Sequence, residues 1–370
     1  MPKVRSWVGL DVHAVRVVAC VVDAESGEMT VRRLPGQACE VVAFCAGLPG
    51  PVRVAYEAGP TGFALARALS AAGIECVVAA PGKIERPAQD RVKTDQRDAE
   101  RLVRLLMIGG LPAVRVPTPE EEALRDLVRA REDVREDLMR ARHRLSKLLL
   151  RHDVRYRDTV SRWGERHRRW LAQVELREPA AELTMSDYIG AIDQLEIRRE
   201  TIERAIDGLI PTSPWAQTIA RLRCLRGVDT LTAVGLCAEI GDFARFEHPR
   251  QLMSYLGLVP SEHSSGETRR QGQLTKTGSR HARRLLIEAA WHYRRAPRLG
   301  TALERRQHGQ PQAITAIAWK AQQRLHHVWR RLDTKRGKRK TLVAAAVARQ
   351  LAGYIWAIAT ADPDHSTPTT

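Results

Sequence analysis

Apolar positions along the first hundred residues fall into short β-branched runs separated by stretches with helical spacing. "WVGLDV" (7–12) and "RVVACVVD" (16–23) are joined by a short link, and "EMTVRRL" (28–34) follows the turn "AESG". Runs of this kind, bounded by turn residues, predict a three-stranded meander. Residues 38–47 predict a short helix, and "VRVAYEAG" (52–59) a buried strand that ends on an acidic residue. "TGFALARALSAAG" (61–73) has the spacing of a helix closed by glycine. "IECVVAAP" (74–81) predicts another strand, and a helix begins in "KTDQRDA" and runs to about Ile108.

The resulting order, βββαβαβα, is that of ribonuclease-H-like domains and also fits other α/β sheets. Past residue 120 the rhythm changes. Leu124, Leu127, Arg131, Val134, Leu138, Ala141, Leu145 and Leu148 recur at alternating steps of three and four, a heptad stripe containing one arginine. Tyr188, Ile192, Leu195, Arg199, Ile202, Ile206 and Leu209 repeat that stepping beyond a Trp-, Arg- and His-rich segment at 151–180. Two such helices predict an antiparallel pair or half of an intermolecular bundle, read as a coiled-coil stalk that helps make an oligomer, with an internal packing layer as the alternative. "PTSPW" (211–215) has linker composition. The expected organisation is an α/β domain over 1–112, a helical stalk over 118–210, a mainly α domain over 216–300 and a basic helical tail over 301–360 carrying "KRGKRK". The last ten residues predict disorder.

Composition narrows the partners. The 370 residues carry a formal charge of +17 and are 44 % apolar, which fits a folded chain rather than a disordered one. Most of the excess is arginine in the last two thirds, so a long polyanion is the first partner to consider and an anionic membrane surface the second. No apolar run approaches the ~20 residues of a membrane span, and "MPKVRSWVGLDVH" has no signal-peptide core. Six cysteines without a CxxC pair predict small buried residues in a reduced cytoplasmic protein, not a zinc site.

The candidate chemistry is acidic. Asp11 interrupts an apolar strand, where a carboxylate is costly to bury without compensation. Glu57 closes the fourth strand, and strand carboxyl ends are where open sheets build sites. Asp95 and Asp98 are three apart at a helix start and so share a face. Capping near the positive helix end, with Thr94 or Asp95 as the cap, explains that pair alone. Four hard oxygen donors in this topological order suit two Mg²⁺ ions about 3.5–4 Å apart on a phosphodiester. Farther along, "LRCLRGVDTLTAVGLCAEIG" (222–241) predicts helix, glycine hairpin, helix, with Gly227 and Thr230 placed to offer backbone N–H groups to a phosphate. "SYLGLVPSEHSSGETRRQGQLTKTGSRHARRLL" (254–286) sets Ser264, Ser265 and Gly266 beside Arg269, Arg270, Lys276, Arg280, Arg283 and Arg284. A serine next to glycine is usually a loop residue, but this cationic surround would ease its attack on a phosphate.

Through these motifs the chain resembles transposases of the IS110 family over nearly its whole length. "GLDVH", "YEAGPTG" and "KTDQRDA" match that family's RuvC-like domain, whose Asp-Glu-Asp-Asp set falls on Asp11, Glu57, Asp95 and Asp98. The segment from "LRGVDTLTAVGLCAEIGDFARF" to the "SSG" loop and beyond matches its second transposase domain. The resemblance implies that Ser265, with Ser264 as fallback, is a nucleophile making a transient covalent link to DNA. It also implies Mg²⁺ at the acidic set, double-stranded donor and target DNA, a structured guide RNA, a homo-oligomer (dimer or tetramer) and a nucleoid-associated location.

Three other readings compete. A Holliday-junction resolvase would use the same carboxylates with water as nucleophile, without a C-terminal serine. An actin-like ATPase also opens with a strand aspartate but needs an Asp-Gly phosphate turn and a glycine-rich adenosine site, which this sequence lacks. A non-catalytic DNA-architectural protein gives no reason for four acids against a basic background.

Overall fold

The computed structural model describes residues 3–84, 94–157, 162–265 and 268–361, with backbone alone over 263–265 and 268–271. The chain divides into two units, Met1–Thr118 and Pro119–Thr370.

In the first unit β1 (Ser6–Val12), β2 (Arg16–Asp23) and β3 (Met29–Pro35) form the expected meander, followed by α1 (Ala38–Ala46), β4 (Val52–Glu57), α2 (Ala64–Ala71), β5 (Glu75–Ala79) and α3 (Asp95–Met107). The five-stranded sheet has the order β3-β2-β1-β4-β5. β1 runs antiparallel to β2 and parallel to β4, with Leu10 level with Tyr56. Strand alternation sends Val8, Leu10, Val54 and Tyr56 to one face, under Val41 and Cys45 of α1 and Leu65 and Leu69 of α2. Val18, Cys20 and Val22 face the other way, against Ala99 and Val103 of α3. Gly9 lies under α3: a Cβ there would stand 2.2 Å from the Ala99 carbonyl oxygen and 2.6 Å from the Val103 nitrogen. The missing side chain lets the helix lie directly on β1.

The second unit opens with α4 (Pro119–Arg151), α5 (Glu165–Leu171) and α6 (Pro179–Leu209). α4 and α6 pair within the chain, and the pairings Arg131–Glu203 and Arg142–Glu196 show that they run antiparallel. Leu138, Leu145 and Leu148 of the stripe are buried with Met185 and Ile192. Arg131, the arginine in the stripe, donates from Nε to Glu203 at 2.8 Å, and Arg199 stands 3.8 Å from the same oxygen. Each stripe's arginine thus meets a shared carboxylate.

After these come α7 (Ala216–Leu222), α8 (Thr230–Ile240), α9 (Pro249–Tyr255), the hairpin β6 (Pro260–Ser265) and β7 (Thr268–Leu274), then α10 (Arg280–Ala290), α11 (Thr301–Gln307), α12 (Gln312–Arg330) and α13 (Lys340–Ala359). Their core includes Trp215 of the "PTSPW" segment, and Leu124, Val128 and Ile206 of the long helices join it.

One sequence expectation is corrected here. α13 is 20 residues long and apolar enough to cross a membrane by length and composition. Its apolar face is filled instead by protein: Val343, Ala344, Val347, Ala348, Leu351, Ala352, Ile355 and Ile358 are buried in the core of the second unit. The stretch "KRGKRK" that leads into it is exposed and basic. All six cysteines are unpaired, and Cys39, expected inside, is exposed on the first turn of α1. The segment expected to be disordered lies, from residue 362 on, outside the described residues.

Candidate active site

The site follows from the packing of α3 on β1. Thr94 caps the helix, its Oγ1 accepting from the Arg97 N–H at 3.3 Å, and Asp95 and Asp98 occupy the first turn. The capping reading of "KTDQRDA" is thus met by Thr94, which leaves the Asp95 carboxylate for other contacts. Because α3 crosses over Gly9, its acidic first turn comes to the end of β1 where Asp11 projects from the same face.

Asp11, His13 and Asp95 each offer a ligand atom, and the three atoms lie within 4.8 Å of one another. His13 Nε2 stands 3.2 Å from Asp11 Oδ2 and 3.7 Å from Asp95 Oδ1. Arg16, from the start of β2, donates to Asp95 Oδ2 at 2.8 Å. Burial is the largest influence on Asp11 and raises its pKa; His13 pulls it down, while the charges of Asp95 and Asp98 push it up again. The net upward direction marks a carboxylate that gains from a further cation. Two carboxylates and an imidazole suit a divalent metal ion, so the residues present fit one.

The other two acids stand outside this three-residue group. Asp98 is turned onto Arg101, whose Nη1 donates to Oδ1 at 3.0 Å. Glu57 ends β4, half-buried, one residue beyond the Leu10–Tyr56 pair and so at the same sheet end as Asp11. His13 and Arg16 are contacts that sequence reasoning missed. The signal for His13 was present in "GLDVH", since two residues along a strand return to the same face.

In the second unit Ser264 and Ser265 lie on β6, level with Arg269 and Thr268 of β7. The side chains of both serines, Arg269 and Arg270 lie outside the described residues, as does Gly266. Lys276 and Arg280 are exposed. Arg283 is spent on the fold, its Nη1 donating to the carbonyls of Leu256 (3.0 Å) and Thr277 (2.5 Å). Arg284 bridges Glu132 at 2.6 Å and Glu288 at 2.7 Å. Gly227 (φ +80°) passes against α10, where a Cβ would meet the Ala289 oxygen at 2.6 Å. Thr230 starts α8, but the Asp229 side chain accepts the Thr232 N–H at 2.8 Å. One of the amides offered to a phosphate is thereby already bonded.

An α/β unit with an acidic cluster at its sheet end, followed by a helical unit rich in arginine, is the layout of a nucleic-acid-processing enzyme. Comparison with known proteins makes the class specific. The sequence pattern of the DEDD transposases of the IS110 type matches residues 8–153. That described as "Transposase IS116/IS110/IS902 family" matches residues 219–304. A putative transposase, y4qE, of Sinorhizobium fredii is 42 % identical over 365 residues, covering 96 % of this chain and 88 % of its own. The transposase for insertion sequence element IS1533 of Leptospira borgpetersenii is 32 % identical over 345 residues, covering 91 % and 99 %. The transposase for IS1111A of Coxiella burnetii is 26 % identical over 201 residues, 54 % of each chain. The chain belongs to the IS110 family of insertion-sequence transposases, and its activity is that of a DNA transposase.

Proposed function

We propose that this transposase cuts and rejoins DNA with a serine nucleophile and an acidic Mg²⁺ site. The observation that carries the reading is the laying of the first turn of α3 against the end of β1, which gathers Asp95 and Asp11 around His13. The sheet order β3-β2-β1-β4-β5 fits a RuvC-like, ribonuclease-H-like domain. Asp11, Glu57, Asp95 and Asp98 are the residues that would hold Mg²⁺. When bound, the ion supplies Lewis-acid polarisation of a scissile phosphate.

Ser265 supplies the nucleophile, with Ser264 as the alternative. Its hydroxyl attacks phosphorus, the serine-oxygen–phosphorus bond forms, and the bond to the leaving strand breaks. The serine proton passes to the departing oxygen. A hydroxyl of the exchanged strand then attacks the phosphoserine linkage, reforms a phosphodiester and returns the serine, so no outside energy source is needed. Arg269, Arg270, Lys276 and Arg280 would neutralise phosphates, supported by the arginine opposite Ser264 in the hairpin register. Arg283 and Arg284 would act by holding α10 in place. Gly227 and Thr230, in the helix–hairpin–helix-like turn between α7 and α8, would approach the DNA backbone. The α4–α6 pair would serve as the coiled-coil stalk of a dimer or tetramer, and a structured guide RNA would choose donor and target DNA, in the cytoplasm at the nucleoid.

The test uses purified protein, Mg²⁺, the element's flanking non-coding RNA and labelled DNA carrying the element junction, resolved on a denaturing gel. A covalent protein–DNA adduct lost in both Ser265→Ala and Asp95→Ala is the expected result. Metal-dependent cutting with no adduct in any sample would make water the nucleophile and replace this reading with a resolvase-like one.

A further inference from the structure

A second binding site lies away from the acids, at the end of the long helix pair. A cleft of about 590 Å³ opens between the C-terminal turns of α4, Val154–Tyr156, Arg162 and Trp163, and α5, within the ~300–1,000 Å³ usual for ligand sites. Its aromatic wall is Tyr156, Trp163 and Trp170 grouped around His167, with ring centroids 4.7, 4.8 and 5.3 Å from the histidine for Tyr156, Trp163 and Trp170 respectively. Trp163 is held at φ +69°, a region bulky residues seldom adopt, and the Arg142 guanidinium lies 5.0 Å from its ring centroid.

The rim is cationic. His143, Lys147, Arg155 and Arg162 line the cleft, and no carboxylate does among the described residues. Of the arginines at or near it, Arg155 pairs with Asp153, Arg142 with Glu196 and Arg168 with Asp193. Lys147 and Arg162 form no ion pair among the described residues. A structural aromatic cluster would need no such rim. A polar signal points the same way: His167 is 5 % exposed, and its Nδ1 has no hydrogen-bond partner among the described residues. A buried nitrogen left unpaired costs stability unless a bound group completes it.

We infer that this cleft binds an unpaired nucleotide of a single-stranded nucleic-acid segment, its base among Tyr156, Trp163 and Trp170 and its flanking phosphates on Lys147 and Arg162. Aromatic faces with cations around them are the general recognition of unstacked bases. A duplex is a poor occupant, because stacking already covers its base faces. Two sources share this chemistry, an unpaired stretch of RNA and a displaced DNA strand. The inference does not depend on the acidic site or on Ser265.

The experiment uses the full chain in EDTA, so that no strand is cut, with fluorescein-labelled U12 RNA, dT12 DNA and a 12-base-pair duplex read by anisotropy. Versions of the two single strands carrying 5-iodouracil are photocrosslinked and the adducts mapped by mass spectrometry. Crosslinks are expected on Tyr156, Trp163 or Trp170. The rim variant Lys147→Glu/Arg162→Glu, two exposed positions that leave the core untouched, should weaken single-strand binding by about tenfold or more through the lost phosphate contacts. Duplex binding should fall far less. Trp163→Ala should act likewise and Trp163→Phe restore binding. A preference for U12 assigns the cleft to RNA and one for dT12 to a displaced strand, and either supports it. Crosslinks mapping elsewhere, or a rim variant that binds both single strands as the wild type does, would overturn it.

Discussion

Replacing Gly9 by alanine tests whether the approach of α3 to β1 builds the site. The added methyl carbon would stand 2.2 Å from the Ala99 oxygen, 2.6 Å from the Val103 nitrogen and 3.1 Å from the Val103 Cβ, and the first two are backbone atoms that no side-chain rotation can move. Since Cβ atoms do not tolerate contacts under 3.0 Å, α3 must retreat by about 1 Å. Overpacking of this kind costs about 1–3 kcal/mol. The same retreat carries Asp95 away from Asp11 and His13, and a displacement of ~1 Å among reacting groups lowers a rate by about a hundredfold. Gly9→Ala should therefore cut DNA about a hundredfold more slowly while the first unit remains folded. The assays are Mg²⁺-dependent cleavage of junction DNA and hydrogen exchange of the β1 and α3 amides. Exchange should rise in α3 and stay near wild type in β2 and β3. Wild-type cleavage together with unchanged exchange in α3 would refute the account, because it would mean the helix already stands off the strand.

Two further outcomes concern the second unit. Glu239 is buried, and burial works against its charge, but two hydrogen bonds from Arg129 (2.9 and 3.2 Å) and His281 at 3.8 Å outweigh it and draw the carboxyl down to about 2. A fall from 4.5 to about 2 corresponds to about 3 kcal/mol at ~1.4 kcal/mol per pH unit; Arg129 is half-exposed, so screening reduces this to about 2 kcal/mol. That stability is present above the unfolded value of 4.5 and is lost as pH falls toward 2, so Glu239→Gln should lower the urea midpoint at pH 7 and converge on the wild type in acid. Tryptophan fluorescence reads this transition, since every tryptophan except Trp7 lies in the second unit; equal midpoints at pH 7 would show that the pair contributes nothing. Leu145, fully buried between α4 and α6, should cost about 2–5 kcal/mol on truncation to alanine, seen as a lower melting temperature, whereas exposed Leu183→Ala should leave it within a degree or two.

Much of the first unit was legible because each strand carries its own pattern. The β-branched runs, the glycine-closed helix and the acid-rich helix start lie within a residue or three of the boundaries observed. The gathering of Asp11 with Asp95 followed from topology, but His13 and Arg16 did not, because a histidine and an arginine beside a strand look like solvated surface until the opposing acid is in place. The arginine-rich stretch of α10 misled in the opposite sense. Sequence counts charges without direction, and Arg283 and Arg284 spend theirs on carbonyls and carboxylates of the protein itself. α13 was hidden by averaging: its alanine-rich apolar face sits behind "KRGKRK", and the composition of 301–360 blends a wet connection with a dry helix. The heptad stripe was plain, yet stepping alone leaves open which helix covers it; the intrachain pair is settled by contacts some fifty to seventy residues apart.

The burial of α13 also sets the order in which the protein comes into being. Strands and helices of the first unit make their contacts within about a hundred residues and can close as soon as they leave the ribosome. The core of the second unit joins Leu124 to Ile358, so its opening helix waits for nearly the whole remaining chain. At ~5–20 residues per second that delay is on the order of tens of seconds. A message cut short between residue 118 and α13 would yield a protein with a finished acidic unit and an unfinished helical one. The helical unit of such a product lacks the α13 wall of its core, Val343 to Ile358.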